Sequence, residues 1–115
     1  MKIICNKNDL MNGLNIVLKA VSNKSTMSIL QCVLFDCTRG DIRLITNDTE
    51  LGIETVVPGT ILEKGVVAYD ANQISNYVRS LPDNDITIYS DADLNTLISC
   101  EKIKFTITGK NGDKF

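Results

Sequence analysis

The predicted order of strands and helices runs twice along this chain. Residues 1–57 are typical of a strand, a helix and three strands, and residues 65–108 repeat that order. Each helix carries its polar residues on one face. A doubled unit with two such helices favours a scaffold that offers a surface over a pocket that performs chemistry.

The first helix is predicted from an apolar stripe after residue 8. Asn8 or Asp9 is expected to cap it, because the side-chain oxygen of either residue accepts amide protons of the first turn. The stripe recurs at helical spacing and consists of Leu10, Leu14, Val17, Leu18 and Val21. The opposite face carries Asn12, Asn15, Ile16 and Lys19. Gly13 is expected to weaken this helix relative to alanine.

The second helix is predicted to begin after Asp70, with Gln73 placed to complete a capping box. Pro82 is expected to end it. Its apolar stripe consists of Ile74, Tyr77, Val78 and Leu81, and its polar face of Asn72, Gln73, Asn76, Arg79 and Ser80. Solvated surface is the simplest interpretation of the polar face of the first helix.

Eight strands are predicted around these helices. They cover residues 1–6, 28–37, 41–47, 51–57, 65–69, 85–89, 96–100 and 103–108. Tight polar turns separate the later strands, which favours an antiparallel sheet with both helices on one face. The expected class is therefore α+β, in a single domain covering residues 1–115.

The charge balance argues against a protein that coats nucleic acid through a strongly basic surface. Twelve basic and fourteen acidic residues give a net charge of -2, although a basic patch on one face remains compatible with it. No apolar run is long enough to span a bilayer, and a cytoplasmic location is expected. The four cysteines fit that compartment as reduced, buried thiols.

Catalytic constellations are hard to build from this sequence. It contains no histidine, so a serine or cysteine nucleophile would lack an imidazole base. Carboxylate pairs occur at Asp83/Asp85 and Asp91/Asp93, where turn acids are the simpler interpretation. Asp48 and Glu50 also keep a metal-dependent enzyme open as an alternative. No cofactor and no metal site are predicted.

Several segments, in order, resemble the first domain of the bacterial sliding clamp, the β subunit of DNA polymerase III. These segments are 1–3, 25–30, 44–53, 78–82 and 104–107, which read MKI, STMSIL, LITNDTELGI, VRSLP and KFTI. The resemblance covers essentially the whole chain. Ser28 stands where the family usually has proline, Lys24 where many relatives carry arginine, and Gln73 where a basic residue is common.

The resemblance implies the clamp fold, a duplicated β-α-β-β-β unit, and a non-catalytic processivity factor of the replicative polymerase. It implies that this chain is a fragment, the first of three domains in a subunit that pairs head to tail into a homodimeric ring. The helices would line the hole and contact double-stranded DNA without sequence specificity. The residues expected to do so are Lys24, Arg79, Lys19, Asn12, Asn15, Asn72, Gln73 and Asn76.

The last predicted strand is expected to pair with the third domain of the neighbouring subunit. Its interface residues would be Lys102, Ile103, Lys104, Phe105 and Ile107. An ordinary edge strand protected by lysines is the alternative. Polymerase and clamp loader would bind the third domain, which these residues do not include. A stand-alone α+β protein-interaction module without a DNA role is the alternative function.

Overall fold

The computed structural model describes residues 1–21, 28–48 and 50–114. The helices are α1 (Lys7–Val17) and α2 (Ala71–Arg79). The strands are β1 (Lys2–Asn6), β2 (Cys32–Asp36), β3 (Ile42–Asn47), β4 (Gly52–Val57), β5 (Thr60–Glu63), β6 (Val66–Asp70), β7 (Asp85–Ser90), β8 (Asn95–Cys100), β9 (Ile103–Thr108) and β10 (Lys110–Asn111). Short 3₁₀ turns cover Leu18–Ala20, Ser28–Gln31 and Gly112–Lys114.

The strands form two antiparallel five-stranded sheets, which confirms the α+β class and the antiparallel pairing, whereas a single sheet was predicted. One sheet has the order β5-β1-β7-β8-β9 and the other the order β10-β6-β2-β3-β4. The strands β1 to β5 of the first repeat correspond, in the same order, to β6 to β10 of the second. Exchanging each strand for its counterpart converts the order of one sheet into the order of the other. Each repeat therefore contributes its first and last strands to the sheet that holds the three middle strands of the other repeat.

Side-chain caps define where the two helices begin. Asn6 caps α1, since its Oδ1 accepts hydrogen bonds from the backbone N–H groups of Asn8 at 2.9 Å and Asp9 at 3.4 Å. The cap predicted at Asn8 or Asp9 is thus wrong by two or three residues. The cap predicted at Asp70 is confirmed, because its Oδ1 accepts from the backbone N–H of Gln73 at 2.8 Å.

One apolar core lies among the two sheets and the two helices. Leu10, Leu14 and Val17 of α1 are fully buried in it, as the predicted stripe requires. Tyr69 of β6 contacts the Phe35 ring edge-on, with the ring centroids 5.3 Å apart. Its hydroxyl lies 2.8 Å from Thr96 Oγ1 on β8, a buried hydrogen bond that joins the two sheets. Burial raises the pKa of Tyr69 to about 12.

Gly13 brings α1 into direct contact with the sheet beneath it. A Cβ atom at this position would lie 2.7 Å from Val57 Cγ2 and 3.1 Å from Leu44 Cδ1. The contact with Val57 is closer than real Cβ atoms show, so a side chain here would force Val57 or the helix itself to shift. The helix-weakening glycine of the sequence is therefore a packing requirement.

Three segments differ from the predicted strands. Residues 28–31 form a 3₁₀ turn, and the buried strand begins only at Cys32. The strands β5 and β10 were not predicted. The first is a four-residue edge strand between two glycine-containing breaks, and the second has only two residues. Such short edge strands carry too few residues for a period-two pattern.

Candidate nucleic-acid interface

The outward-facing residues of α1, of the 3₁₀ turn after it and of α2 form the helix surface. Its exposed members are Asn8, Asn12, Asn15, Ile16, Lys19, Asn72, Gln73, Asn76, Arg79 and Ser80. The two helices contact each other, so these residues belong to neighbouring elements. Amides dominate this surface, and Ile16, 44% exposed, is its one large apolar member.

Charge is distributed unevenly between the helices and the rest of the molecule. The chain has fourteen acidic residues, yet Asp9 is the only one within α1, the 3₁₀ turn and α2. Asp9 is half-buried, whereas Lys19 and Arg79 are exposed. The residues of the helix surface therefore offer hydrogen-bond donors and two cations but no exposed carboxylate of their own; the exposed carboxylate of Asp83 lies next to Asn8 at the start of α1.

Arg79 is held along its own helix by two hydrogen bonds. Its Nη1 donates to Asn76 Oδ1 at 2.9 Å, and its Nη2 donates to Ser75 Oγ at 3.2 Å. Both acceptors are neutral, so the positive charge is oriented but not compensated. A guanidinium placed in this way is suited to contact a phosphate.

Polar contacts fix the ends of the helices relative to each other and to the strands. The start of α1 lies beside the segment after α2, because Asn8 Nδ2 donates to Asp83 Oδ1 at 2.8 Å and Lys7 N donates to Asn84 O at 3.0 Å. At the other end of α1, the buried hydroxyl of Thr46 donates to the carbonyl of Val17. The helix surface is thus presented by a rigid support.

The structure brings most of the predicted DNA-facing residues to the helix surface. Asn12, Asn15 and Lys19 are exposed on the first unit, and Asn72, Asn76 and Arg79 on the second. Lys24 lies outside the described residues. Gln73 is exposed, but its Nε2 lies 3.5 Å from the hydroxyl of Tyr77, on the flank of α2 that faces β9.

The strand β9 forms one edge of its sheet, where it pairs with β8 alone within the described chain. Lys102, Ile103 and Lys104 are exposed at its start. Phe105 is half-buried, and Ile107 is only 2% exposed and belongs to the core of this domain. Phe105 and Ile107 lie on the same face of β9, but Ile107, which was expected at the interface, is covered by its own domain.

The aromatic partner of Phe105 was not identified from the sequence. The Tyr77 ring of α2 stacks face to face on it, with the centroids 4.6 Å apart and the planes 4° from parallel. Tyr77 was assigned to the apolar stripe of the helix, and it does face inward. Nothing in the spacing of the sequence connects position 77 with position 105, so only the fold reveals this pair.

The carboxylates considered for metal binding build turns. Asp48 Oδ1 accepts from the backbone N–H groups of Glu50 at 3.0 Å and Leu51 at 2.6 Å. Asp91 Oδ1 accepts from those of Asp93 at 2.9 Å and Asn95 at 3.0 Å. The turn role predicted for Asp91 is confirmed, and Asp48, which was considered for metal binding, has a turn role as well. Among residues 1–21, 28–48 and 50–114, no group of three or more acidic or cysteine side chains is arranged to hold a metal ion.

The four cysteines are buried as free thiols, as predicted. Burial raises the pKa of Cys5 to about 12 and that of Cys37 to about 11. Thiols with such pKa values are not nucleophilic at neutral pH.

Within the described chain, neither helix has the length and apolar character needed to cross a bilayer.

Solved structures with the same fold are sliding clamps of bacterial DNA polymerases. A protein from Eubacterium rectale assigned as a DNA polymerase III beta subunit is 56% identical, with a TM-score of 0.99. The DNA polymerase sliding clamp of Bacillus subtilis is 26% identical, with a TM-score of 0.95. Each match covers 100% of this chain and 32% of the other. The fold is therefore that of a sliding-clamp domain.

Sequence comparison identifies the family to which this sliding-clamp domain belongs. The family model of the DNA polymerase III beta subunit, N-terminal domain, matches residues 1–115. The beta sliding clamp of Synechocystis is 34% identical over 123 aligned positions, which cover 100% of this chain and 32% of the relative. The chain belongs to the family of DNA polymerase III beta subunit N-terminal domains, and it spans about a third of the length of these relatives.

Proposed function

We propose that this domain is part of a processivity factor, a ring that encircles duplex DNA and slides along it without reading sequence. The helix surface faces the DNA in this proposal. The observation that carries it is the charge distribution, because an acidic chain keeps all but one of its carboxylates out of both helices. A stand-alone interaction module would not require this segregation.

The chemistry of the helix surface suits sliding. Asparagine side chains such as Asn12, Asn15 and Asn76 donate hydrogen bonds to phosphate oxygens directly or through water. These contacts are equivalent at every step along the duplex, because the phosphates carry no sequence information. Base readout would instead require an element inserted into the major groove.

Weak attraction is sufficient for a ring that is held on DNA by closure. Each cation that neutralises one phosphate contributes about 0.9 to the slope of log K against log salt. Arg79 and Lys19 together therefore contribute less than about 2 from this domain. Lys24 remains a third predicted contact. A slope of this size leaves the protein free to move along the duplex.

The edge of β9 forms the subunit seam in this proposal. Its free backbone groups would extend the sheet into the third domain of the neighbouring subunit. Ile103 is 39% exposed beside them and supplies apolar contact, while Lys102 and Lys104 would pair with acidic residues across the boundary. Phe105 contributes with its exposed part, and Ile107 supports the strand from the core.

The role is non-catalytic, and other partners bind elsewhere in the full-length protein. Polymerase and clamp loader would dock on the third domain, which lies outside the 115 residues of this chain. This domain supplies part of the DNA-facing inner wall and one side of the seam.

The DNA-facing role is tested with single charge removals in the full-length protein. Arg79→Gln and Lys19→Gln should each reduce the salt slope of duplex binding by about 0.9, measured by fluorescence anisotropy at several salt concentrations. Lys64→Gln is the matched control, since Lys64 is exposed between β5 and β6, outside both helices. Slopes unchanged in both helix variants would overturn the assignment.

The seam is tested by solution mass. Ile103→Asp should convert a dimer of the full-length protein to monomer, because a charged side chain would enter the seam. Ile103 is preferable to Ile107 for this purpose, since aspartate at the buried position 107 would unfold the domain. A wild-type monomer with no affinity for DNA would favour the stand-alone interaction module.

A further inference from the structure

The two repeats place very different residues at one equivalent position of their helices. Gly13 lies seven residues after the cap Asn6, and Tyr77 lies seven residues after the cap Asp70. Each position faces the outermost strand made by its own repeat, β4 in one sheet and β9 in the other. The duplicated fold therefore allows a direct comparison of the equivalent edges at β4 and β9.

At the first edge the helix lies directly on the strand. A Cβ on Gly13 would lie 2.7 Å from Val57 Cγ2 and 3.6 Å from Thr55 Cγ2, both on β4. The glycine thus leaves no space between α1 and this strand. Nothing projects from the helix towards the open side of the edge at this point.

At the second edge an aromatic pair separates the helix from the strand. The stacked rings of Tyr77 and Phe105 occupy the space between α2 and β9, and both side chains are half-buried. Their exposed parts lie at the edge of the sheet, beside the exposed Ile103. Within residues 1–21, 28–48 and 50–114, this is the edge that combines an outer strand with an aromatic surface supplied partly by a helix.

We propose that Tyr77 is a positioning residue for the subunit seam. Its ring covers one face of Phe105 and fixes the other ring in the orientation that meets the neighbouring subunit. Loss of the Tyr77 ring would leave Phe105 free to rotate into the vacated space and would weaken the seam without touching the partner's backbone pairing. This inference rests on the proposed seam at β9.

The edge at β9 therefore differs from the equivalent edge at β4, because an aromatic pair stands where the first repeat has a glycine contact. The partner expected at the β9 edge is the third domain of a second copy of the full-length protein, as in the seam proposed above.

The test compares ring variants at position 77 in the full-length protein. Tyr77→Ala should raise the dimer dissociation constant about tenfold, measured by sedimentation over a dilution series. Tyr77→Phe keeps the stacking ring and loses only the hydroxyl near Gln73, so its dissociation constant should stay within about threefold of wild type. Rescue by phenylalanine separates ring stacking from hydrogen bonding.

A purely structural role is separated by measuring thermal stability in parallel. Ile88→Val, buried in the central strand β7 of the same sheet, is the control that lowers the melting temperature away from the seam. If Tyr77→Ala lowers the melting temperature but leaves the dissociation constant within twofold of wild type, the proposal is overturned. Should the alanine variant fail to fold, Tyr77→Leu is judged by the same criterion.

Failure of this inference is distinguishable from failure of the seam itself. A dimer that survives Ile103→Asp would show that β9 is not the seam, and both proposals would fall. A dimer that is lost in Ile103→Asp but unaffected by Tyr77→Ala would remove the positioning role alone.

Discussion

Replacement of Gly13 by alanine tests the close contact between α1 and β4. Two opposing terms determine the result. Alanine is favoured over glycine inside a helix by about 1 kcal/mol. The added methyl would lie 2.7 Å from Val57 Cγ2, about 1 Å inside normal carbon–carbon contact, and overpacking of this kind costs about 1–3 kcal/mol. We therefore expect a net destabilisation of about 1 kcal/mol.

A double-mutant cycle isolates the steric term of this prediction. Val57→Ala alone removes two methyl groups and should cost about 1.6 kcal/mol or more. In the double variant the alanine methyl at position 13 enters the space left by valine. The two changes should consequently be less than additive, with a coupling energy of at least about 1 kcal/mol.

Urea unfolding of the 115-residue domain provides the free energies for the cycle. With a slope of about 2 kcal/mol per molar, Gly13→Ala should lower the midpoint by about 0.5 M. A variant stabilised by about 1 kcal/mol would show the helix-propensity term alone. Such a result, with additive behaviour in the cycle, would refute the close packing of α1 on β4.

Further predictions concern a turn, a buried carboxylate and the thiols. Glu101, the first of the two residues between β8 and β9, has a φ of +53°, a conformation that glycine adopts without steric cost. Glu101→Gly should therefore raise the free energy of unfolding by about 0.5–1 kcal/mol in the same urea assay. Asp36 accepts hydrogen bonds from the hydroxyl and the backbone N–H of Thr38. These hydrogen bonds, together with the charges of Arg39 and Arg43, lower the pKa of the Asp36 carboxyl from 3.8. Because the pKa of Asp36 is lower in the folded state than in the unfolded state, the ionised carboxylate stabilises the fold at pH values above the unfolded-state pKa. This stabilisation is lost as the pH falls through the folded-state pKa. Thr38→Val should therefore be less stable than wild type at pH 7, and urea midpoints should converge as pH falls well below 3.8. The four thiols should resist an aromatic disulfide reagent in the native protein and all react after unfolding, whereas reaction of any thiol at the rate of free cysteine would contradict their burial.

Local chemistry made the helices predictable from the sequence. Asp70 and the apolar stripes are signals within a single helix, and the structure confirms the cap and the stripe residues inside α1 and α2. Leu18, Val21 and Leu81, which were also assigned to the stripes, lie beyond the ends of the helices. The cap of α1 was misplaced because Asn6, Asn8 and Asp9 are all capable caps close together. In the structure Asn6, the last residue of β1, is the N-cap, so α1 follows β1 with no connecting residue.

Long-range pairing could not be predicted in the same way. Asn6 of β1 pairs with Asp85 of β7, and a local periodic pattern in the sequence carries no information about which distant strand is the partner. The stack of Tyr77 on Phe105 depends on that pairing, and so does the position of β9 at a sheet edge. The polar residues of the helix surface were identifiable from the sequence. The contacts that support them, and the position of Gln73 on the flank of α2 that faces β9, could be seen only in the fold.

The exchange of strands between the repeats explains why the helix surface and the edge at β9 form one rigid unit. If each repeat formed its own sheet, the two halves would meet through side chains alone and could shift against each other. Here β1 pairs with β7, and β6 pairs with β2, so backbone hydrogen bonds cross between the halves in both sheets. The buried hydrogen bond of Tyr69 with Thr96 adds a further link between the sheets. A displacement of α2 relative to α1 would therefore strain both sheets at once, because each helix directly follows a strand that belongs to the other repeat's sheet. The duplicated fold thus holds the helix surface and the edge at β9 in fixed relation within only 115 residues.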